Sequence, residues 1–382
     1  MPELKKQHLV PELHLKRFSY DNKQTNILNV KAEKIIPLTP YMNHCHKDYY
    51  YGKDGKYERM LSKLEVTWAA IFDKIIENND YYPTKEEIER IKEFALYQKN
   101  RVLIMKTQIE ELKWKTVSVA LKMKFGDIDE EAKRKLKKMF LDKHGQNIPQ
   151  FCLDMAVELK KYISDLGLLI VNYKSKSELI TSDNPIISYN NYCTNNVGLG
   201  SVGLIIFFPI SPNKLIVLYD KKMYPKYSQS KIVNLNNDTE IEWLNKFQII
   251  SAVNLVIFRN HNQSNSVLRL YKALKKDRSQ FFRKVEPYEF APGFSNMIIH
   301  EQPYYPIDYN FSFARLTKRA INISKYKNTI IGQFPRSFDK QQLFSMSVRE
   351  NLPSLKAGDF QNNEKKVKEV NKFMSDYWND NL

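Results

Sequence analysis

The chain has 382 residues, a hydrophobic fraction of 42% with 23 Tyr and 21 Phe, and a formal net charge of +17 at pH 7. That much apolar and aromatic material argues against a disordered chain, and only 11 Gly and 16 Pro argue against a loop-rich or collagen-like one. The three cysteines, Cys45, Cys152 and Cys193, are scattered without a CxxC pair, which disfavours a disulfide framework and fits a reducing cytoplasm.

Residues 1–57 read as an irregular, aromatic-rich arm, broken by Pro2, Pro11, Pro37 and Pro40, with a strand pattern at 25–30. A helix follows, because Leu61, Leu64, Trp68, Ile71 and Ile75 fall at alternating steps of three and four. Thr84 and Glu87 fit a capping box, and the stripe Ile88, Ile91, Phe94, Gln98, Val102, Met105, Ile109 and Leu112 predicts one long helix reaching residue 125. Residues 130–144 predict a charged helix with a basic face, and 148–166 another helix.

The pattern changes after Gly167. Residues 168–173, 178–181, 186–189, 204–208 and 214–219 read as short strands with turn signals between them. Thr239 and Glu242 fit a second capping box, and Trp243, Phe247, Ile250, Asn254 and Ile257 predict a helix over about 239–260. Beyond it lie a basic stretch at 272–284 and a terminal amphipathic helix over about 363–378, carrying Val367, Val370, Met374 and Tyr377. The expected fold is therefore α+β, mainly helical, with a small, mostly antiparallel sheet in the middle of the chain. The expected domains are an α+β core over 1–260, with a helical bundle over about 58–166 and a sheet over about 167–220, and a basic extension over 261–382.

The apolar runs at 203–210 and 249–258 are roughly half the length a membrane span needs, and the N-terminus lacks an apolar h-region, so a cytoplasmic protein without a transmembrane segment is expected. The positive charge suits a polyanionic partner such as nucleic acid. A Lys-, Asn-, Ile- and Tyr-rich composition of AT-rich origin yields the same excess without a partner. A partner protein or an oligomer stays open.

No GxxxxGK[ST], GxGxxG, HExxH or GxSxG pattern occurs, which disfavours a phosphate-loop ATPase and a Rossmann dehydrogenase. His44-Cys45-His46 is the sole His/Cys cluster; neighbours on a strand face opposite ways and no further ligands follow at a zinc spacing. Polar residues on apolar stripes say more. Gln98 takes a core-facing step, so its amide must be hydrogen-bonded or line a cavity. Arg101 lies one turn later on the same side, and Glu65 borders the preceding stripe, so a Glu–Arg pair is either structural or one wall of an active site. Asp183 sits in the turn Thr181-Ser182-Asp183-Asn184-Pro185, where it either caps the turn or presents a carboxylate at a strand end, and Asn184 is pushed extended by Pro185. His8 is an ordinary packing residue or a group for proton transfer near neutral pH.

The segment from Gln7 to Phe18, read as His-x-x-Pro-x-x-x-Leu-x-x-Phe, resembles the opening of a bacterial family catalogued as domain of unknown function four-two-three-eight. Tyr49-Tyr50-Tyr51, Leu64-Glu65, Phe94-x-x-x-Gln98-x-x-Arg101, Thr181-Ser182-Asp183-Asn184-Pro185, Phe208-Pro209-Ile210-Ser211-Pro212 and Asn245 resemble its later motifs in order, over about residues 7–260. The family usually has a proline soon after the Arg101 position, where this chain has Val102-Leu103. The resemblance implies a bacterial cytoplasmic protein, sometimes encoded near mobile elements or defence genes, and brings no established reaction.

Two expectations follow. In the first, the chain is a nuclease-like effector on RNA or DNA, an anti-phage defence protein or toxin. His8, Glu65 and Asp183 would be catalytic, and Arg17, Gln98, Arg101, Asn184 and Asn245 would hold substrate. Glu65 and Asp183 would bind a divalent metal such as Mg²⁺, or else His8 would move protons while Arg17 or Arg101 steadies the phosphate. In the second, the same side chains form a structural network in a non-catalytic module that binds nucleic acid or protein.

Overall fold

The structure, a computed structural model, describes residues 5–190, 198–224, 231–281, 286–288, 297–299, 311–314, 336, 372 and 374–379. The N-terminal arm holds β1 (Lys6–His8), α1 (Glu12–Arg17), β2 (Gln24–Asn29), β3 (Lys34–Pro40) and β4 (His46–Asp48). A helical run follows: α2 (Lys56–Glu77), α3 (Lys85–Arg101), α4 (Leu103–Phe125), α5 (Glu130–His144) and α6 (Ile148–Leu159). Then come β5 (Gly167–Tyr173), β6 (Thr181–Ser182), β7 (Ile187–Asn190), β8 (Leu204–Ser211), β9 (Lys214–Tyr219), β10 (Ile232–Leu235), α7 (Asp238–Ser251), β11 (Leu255–Phe258) and α8 (Ser264–Phe281). The fold is mainly helical α+β.

A five-stranded sheet, ordered β10-β5-β9-β8-β7, forms the middle layer, antiparallel except for the β10–β5 pair. Its side chains alternate between two cores. Leu168, Ile170, Ile206, Phe208, Ile216 and Leu218 pack with α2, α3 and α6, whereas Leu169, Val171, Phe207, Leu215 and Val217 pack with α7 and α8. Helices on both faces explain why β5, β8 and β9 read as nearly unbroken apolar runs rather than alternating ones. Phe208 joins the sheet to the helices through Phe94, ring centres 5.6 Å apart, and Phe94 meets Phe72 at 4.9 Å.

A second sheet, ordered β3-β2-β11-β6, is antiparallel and ties the arm to the second half of the chain. Sequence reading over 239–260 missed it. The helix α7 stops at Ser251, and Asn254 and Ile257 lie beyond it, the latter in β11. The run Leu255-Val256-Ile257-Phe258 is apolar and β-branched, and pairing with β2 and β6 satisfies its backbone better than a further turn of helix. The cap also differs from expectation: Asn237, not Thr239, accepts from the Glu240 amide at 3.2 Å.

The Thr84–Glu87 capping box is present, with Thr84 N donating to Glu87 Oε2 at 2.9 Å. The predicted long helix is two helices, split at Val102 (φ −75°, ψ 157°). Just upstream, Asn100 donates its side-chain amide to Leu96 O at 2.8 Å, the side-chain-to-backbone bonding that competes with helix propagation. The helix expected over 148–166 ends at Leu159 and continues as a single tighter turn to Tyr162, and the strand expected over 178–181 shrinks to Thr181–Ser182.

Past residue 260, α8 packs on α7 and places Val267, Leu270, Tyr271 and Leu274 in the core beneath the sheet. Met374 and Tyr377 of the terminal segment join the same core, and Tyr377 donates to Asp220 Oδ2 at 2.9 Å. Val367 and Val370 lie outside the described residues. Among the described residues no helix is long and apolar enough to cross a membrane.

Candidate functional site

The arm is pinned across the helical layer by buried polar bonds. Gln7 is fully buried; its Nε2 donates to Gly52 O at 2.9 Å and its Oε1 accepts from Tyr51 N. Tyr51 donates its hydroxyl to His8 O at 3.1 Å. These bonds and the β1–β4 pairing set His8 opposite His46, with ring centres 5.6 Å apart.

Against this arm stand the C-terminal turn of α3 and one face of α2. Gln98 donates to Leu9 O at 3.1 Å and accepts from Arg101 Nε at 2.7 Å, and Arg101 Nη1 reaches Glu65 Oε1 at 2.7 Å. The side chain of Arg101 is only 1% exposed, that of Glu65 24%. So His8, Glu65, Gln98 and Arg101, from three separate stretches of chain, share one network. Glu12 completes its rim, with Oε1 3.4 Å from His8 Nε2 but without hydrogen-bond alignment.

Glu58 is the residue sequence reading missed. It lies seven positions before Glu65, two turns along the same face of α2, and that spacing was its available signal. Burial, reinforced by the neighbouring Glu65 charge and by Glu12, pushes its carboxyl up to about 7, with Arg101 opposing. Burial and then His46 push His8 down to about 4, so its imidazole is neutral at physiological pH. Four buried polar atoms here have no hydrogen-bond partner: His8 Nε2, His46 Nδ1, Glu58 Oε2 and Arg101 Nη2. Unmet donors and acceptors are uncommon in folded proteins, and a cluster of them, mixed in sign, is an arrangement a polar ligand would complete.

The other expected site residues build a second network. Asp183 accepts from three backbone amides that follow α7: Val253 N at 2.7 Å, Asn254 N at 2.7 Å and Leu255 N at 3.3 Å. Burial lifts its carboxyl to about 6 while these amides pull it down. Asn184 donates to Ser251 O at 3.2 Å; Asn245 donates to Glu178 O and accepts from Ile180 N, both at 3.0 Å. Ser182 donates to Gln248 Oε1 at 2.8 Å, and Gln248 donates to Pro185 O at 2.9 Å. The Thr181–Pro185 turn is thus clasped to α7 from both sides.

Arg17 stands apart from both networks, donating to Asp73 Oδ1 at 2.6 Å and to Ala69 O at 3.2 Å, with its guanidinium 5.4 Å from the Phe72 ring. It fastens α1 to α2. His14, fully buried, shares a 2.8 Å hydrogen bond with Thr181 Oγ1 and links the arm to the clasp. Burial, with Arg17 and then Arg101 nearby, holds its imidazole down at about 3. Glu65 and Asp183 therefore have separate partners. Among the described residues no three His, Cys, Asp or Glu side chains are placed to hold one metal ion. In the His44-Cys45-His46 segment, His44 Nε2 is 3.0 Å from Thr39 Oγ1, and burial raises the Cys45 thiol.

A family model described as protein of unknown function (DUF4238) matches residues 6–262. The chain belongs to that family. In this DUF4238 protein the matched span contains both polar networks and ends just before α8. No curated protein and no solved structure matches the chain.

Proposed function

We propose that this DUF4238 protein hydrolyses phosphodiester bonds in RNA or DNA at the His8–Glu58–Glu65–Arg101 cluster, as a nuclease-like effector of the toxin or anti-phage defence kind. The observation that carries the reading is the convergence of four unpartnered buried polar atoms from β1, β4, α2 and α3. Neutral His8 accepts the proton of the attacking hydroxyl or water. Glu58, in its protonated form, returns a proton to the departing oxygen, and Arg101 Nη2 faces the charge that builds on phosphorus-bound oxygen. Glu65 and Gln98 fix the guanidinium in place. Pairs of titratable groups pushed in opposite directions by their surroundings are how acid and base roles are divided at one pH.

On the α4–α5 hairpin the exposed Lys124, Arg134 and Lys138, beside Lys122, Lys133 and Lys135 in exposed ion pairs with Asp127, Glu130 and Glu131, offer a basic face for a phosphate backbone, a contact that positions without reading sequence. The test is incubation of labelled RNA and DNA oligonucleotides with the purified protein, with Glu58→Gln and His8→Gln alongside, and expression of the same proteins in bacteria. Product formation and growth arrest by the wild type, both lost in Glu58→Gln, support the reading. Products formed equally by both variants reject it.

A second reading, a non-catalytic binding module, is favoured by the Asp183–Asn184–Asn245 clasp, whose bonds are all to the protein's own backbone. That reading expects salt-steep nucleic-acid binding, unchanged in Glu58→Gln, and no products.

A further inference from the structure

A concavity of about 680 Å³ opens where the Tyr20–Gln24 turn, β3 and the β11–α8 connection meet. Its volume falls within the range of small-molecule sites. Three of its wall residues, Asp21 (φ 52°), Asn22 (φ 58°) and Leu38 (φ 48°), adopt left-handed backbone. For Asp21 and Asn22 this is the usual conformation of a tight hairpin turn. For Leu38, in β3, it is an outlier that the surroundings must enforce.

What enforces it is Asn26, which is fully buried. The β2–β3 register shifts between Thr25 and Ile27, so Asn26 faces a bulge containing Leu38. Asn26 Oδ1 accepts from Leu38 N at 3.3 Å and lies 3.1 Å from His261 Nδ1, and Asn26 Nδ2 donates to Arg259 O at 2.8 Å. One buried amide therefore holds three walls of the concavity. Arg259 is further locked by an ion pair with Glu178. The site is preorganised, and its one strained residue points to use rather than packing.

The lining defines the ligand. Tyr20 is 62% exposed and Leu38 50% exposed, so a flat apolar surface stands open at the mouth. Asn22 and Asn262 each bring an amide to the lining, donor and acceptor in one plane; Asn260, whose Oδ1 accepts from Asn262 N at 3.0 Å, adds its amide donor, and Asp21, whose Oδ1 accepts from Lys23 N and Gln24 N, adds its second carboxylate oxygen. The Arg259 charge is matched by Glu178, so a phosphate gains little here. From this geometry we infer that the concavity binds an unpaired nucleobase, stacked on Tyr20 and read along its edge by the asparagine amides. The choice of a base rather than a sugar ring rests on the nucleic-acid reading above. The same stretch of arm supplies His8 to the polar cluster and Tyr20–Asn22 to this site.

The test is titration of the full chain with adenosine, guanosine, cytidine and uridine, and with free ribose, by calorimetry and ligand-observed NMR. Wild type is expected to bind at least one nucleoside and not ribose. Tyr20→Ala is expected to weaken that nucleoside roughly tenfold, Tyr20→Trp to retain it, and Asn262→Ala to weaken it. Tyr20 and Asn262 are exposed, and unchanged melting curves would show the variants folded. No nucleoside binding by wild type at millimolar concentration, binding indifferent to Tyr20→Ala, or ribose bound as well as the nucleoside would each overturn the inference. Nucleoside binding needs no hydrolysis, so Glu58→Gln should bind as wild type does, and the two readings can fail separately.

Discussion

Asp183→Ala should unfold the clasp rather than silence a reaction. The carboxylate receives three amides, two of them from partly buried surroundings at Val253 and Leu255. The third, at Asn254, is exposed, and water can replace the carboxylate there. Each buried amide left without an acceptor costs on the order of 1–3 kcal/mol. Two such losses sum to about 2–6 kcal/mol, a large part of the roughly 5–15 kcal/mol that holds a typical native state. In a thermal melt followed by circular dichroism at pH 7, the midpoint is expected to fall by roughly 3–7 °C. Asp183→Asn keeps one acceptor oxygen and should fall by less. Any loss of nuclease products in Asp183→Ala should follow the folded fraction and vanish at low temperature. A midpoint unchanged within a degree, together with lost activity, would refute this reasoning and return Asp183 to the chemistry.

Glu58 has a folded pKa of about 7 against an ordinary 4.5, so the fold favours its protonated form. Its contribution to stability is full below about 4.5 and is lost as pH rises through 7; wild type should melt lower at pH 8 than at pH 6, and Glu58→Gln should flatten that difference. His8 shifts the other way, from 6.5 to about 4: its contribution is full above 6.5 and is lost as pH falls toward 4, and NMR should show its ring neutral from pH 5.5 to 8. Removing Arg101 as Arg101→Met leaves Glu65 and Gln98 without their donor and should destabilise the chain by roughly 3 kcal/mol in a denaturant titration, whereas an exposed ion pair would show almost none. Leu103→Pro should shift the melting midpoint by no more than a few degrees, because Val102 is already extended and Leu103 is the first residue of α4, where proline is tolerated. Ala120→Pro, inside α4, should cost about 3 kcal/mol or more.

Local signals in the sequence were enough to name the family and most elements. The Thr84 cap, the stripe through Trp68 and the charged run that became α5 are short-range patterns, set by residues within a turn or two of one another. Glu65, Gln98 and Arg101 stood out because polar groups on an apolar stripe need partners, and the three do bond in series. Glu58 was legible only as a heptad step on α2, since nothing local marks a carboxyl whose proton affinity comes from burial and from a second carboxyl two turns away.

What the sequence alone determined, then, is the periodicity of each element and the ordered set of motifs. Tertiary structure decided which motifs meet. Leu255–Phe258 became a strand because β2, more than 220 residues earlier, offered it backbone partners. Asp183 was drawn from the expected site into the clasp by amides near residue 254, while Glu58 was drawn in. Hydrogen bonding and desolvation act through space, and the chain's own order does not encode which distant groups will be left facing one another until the two cores close on either side of the sheet.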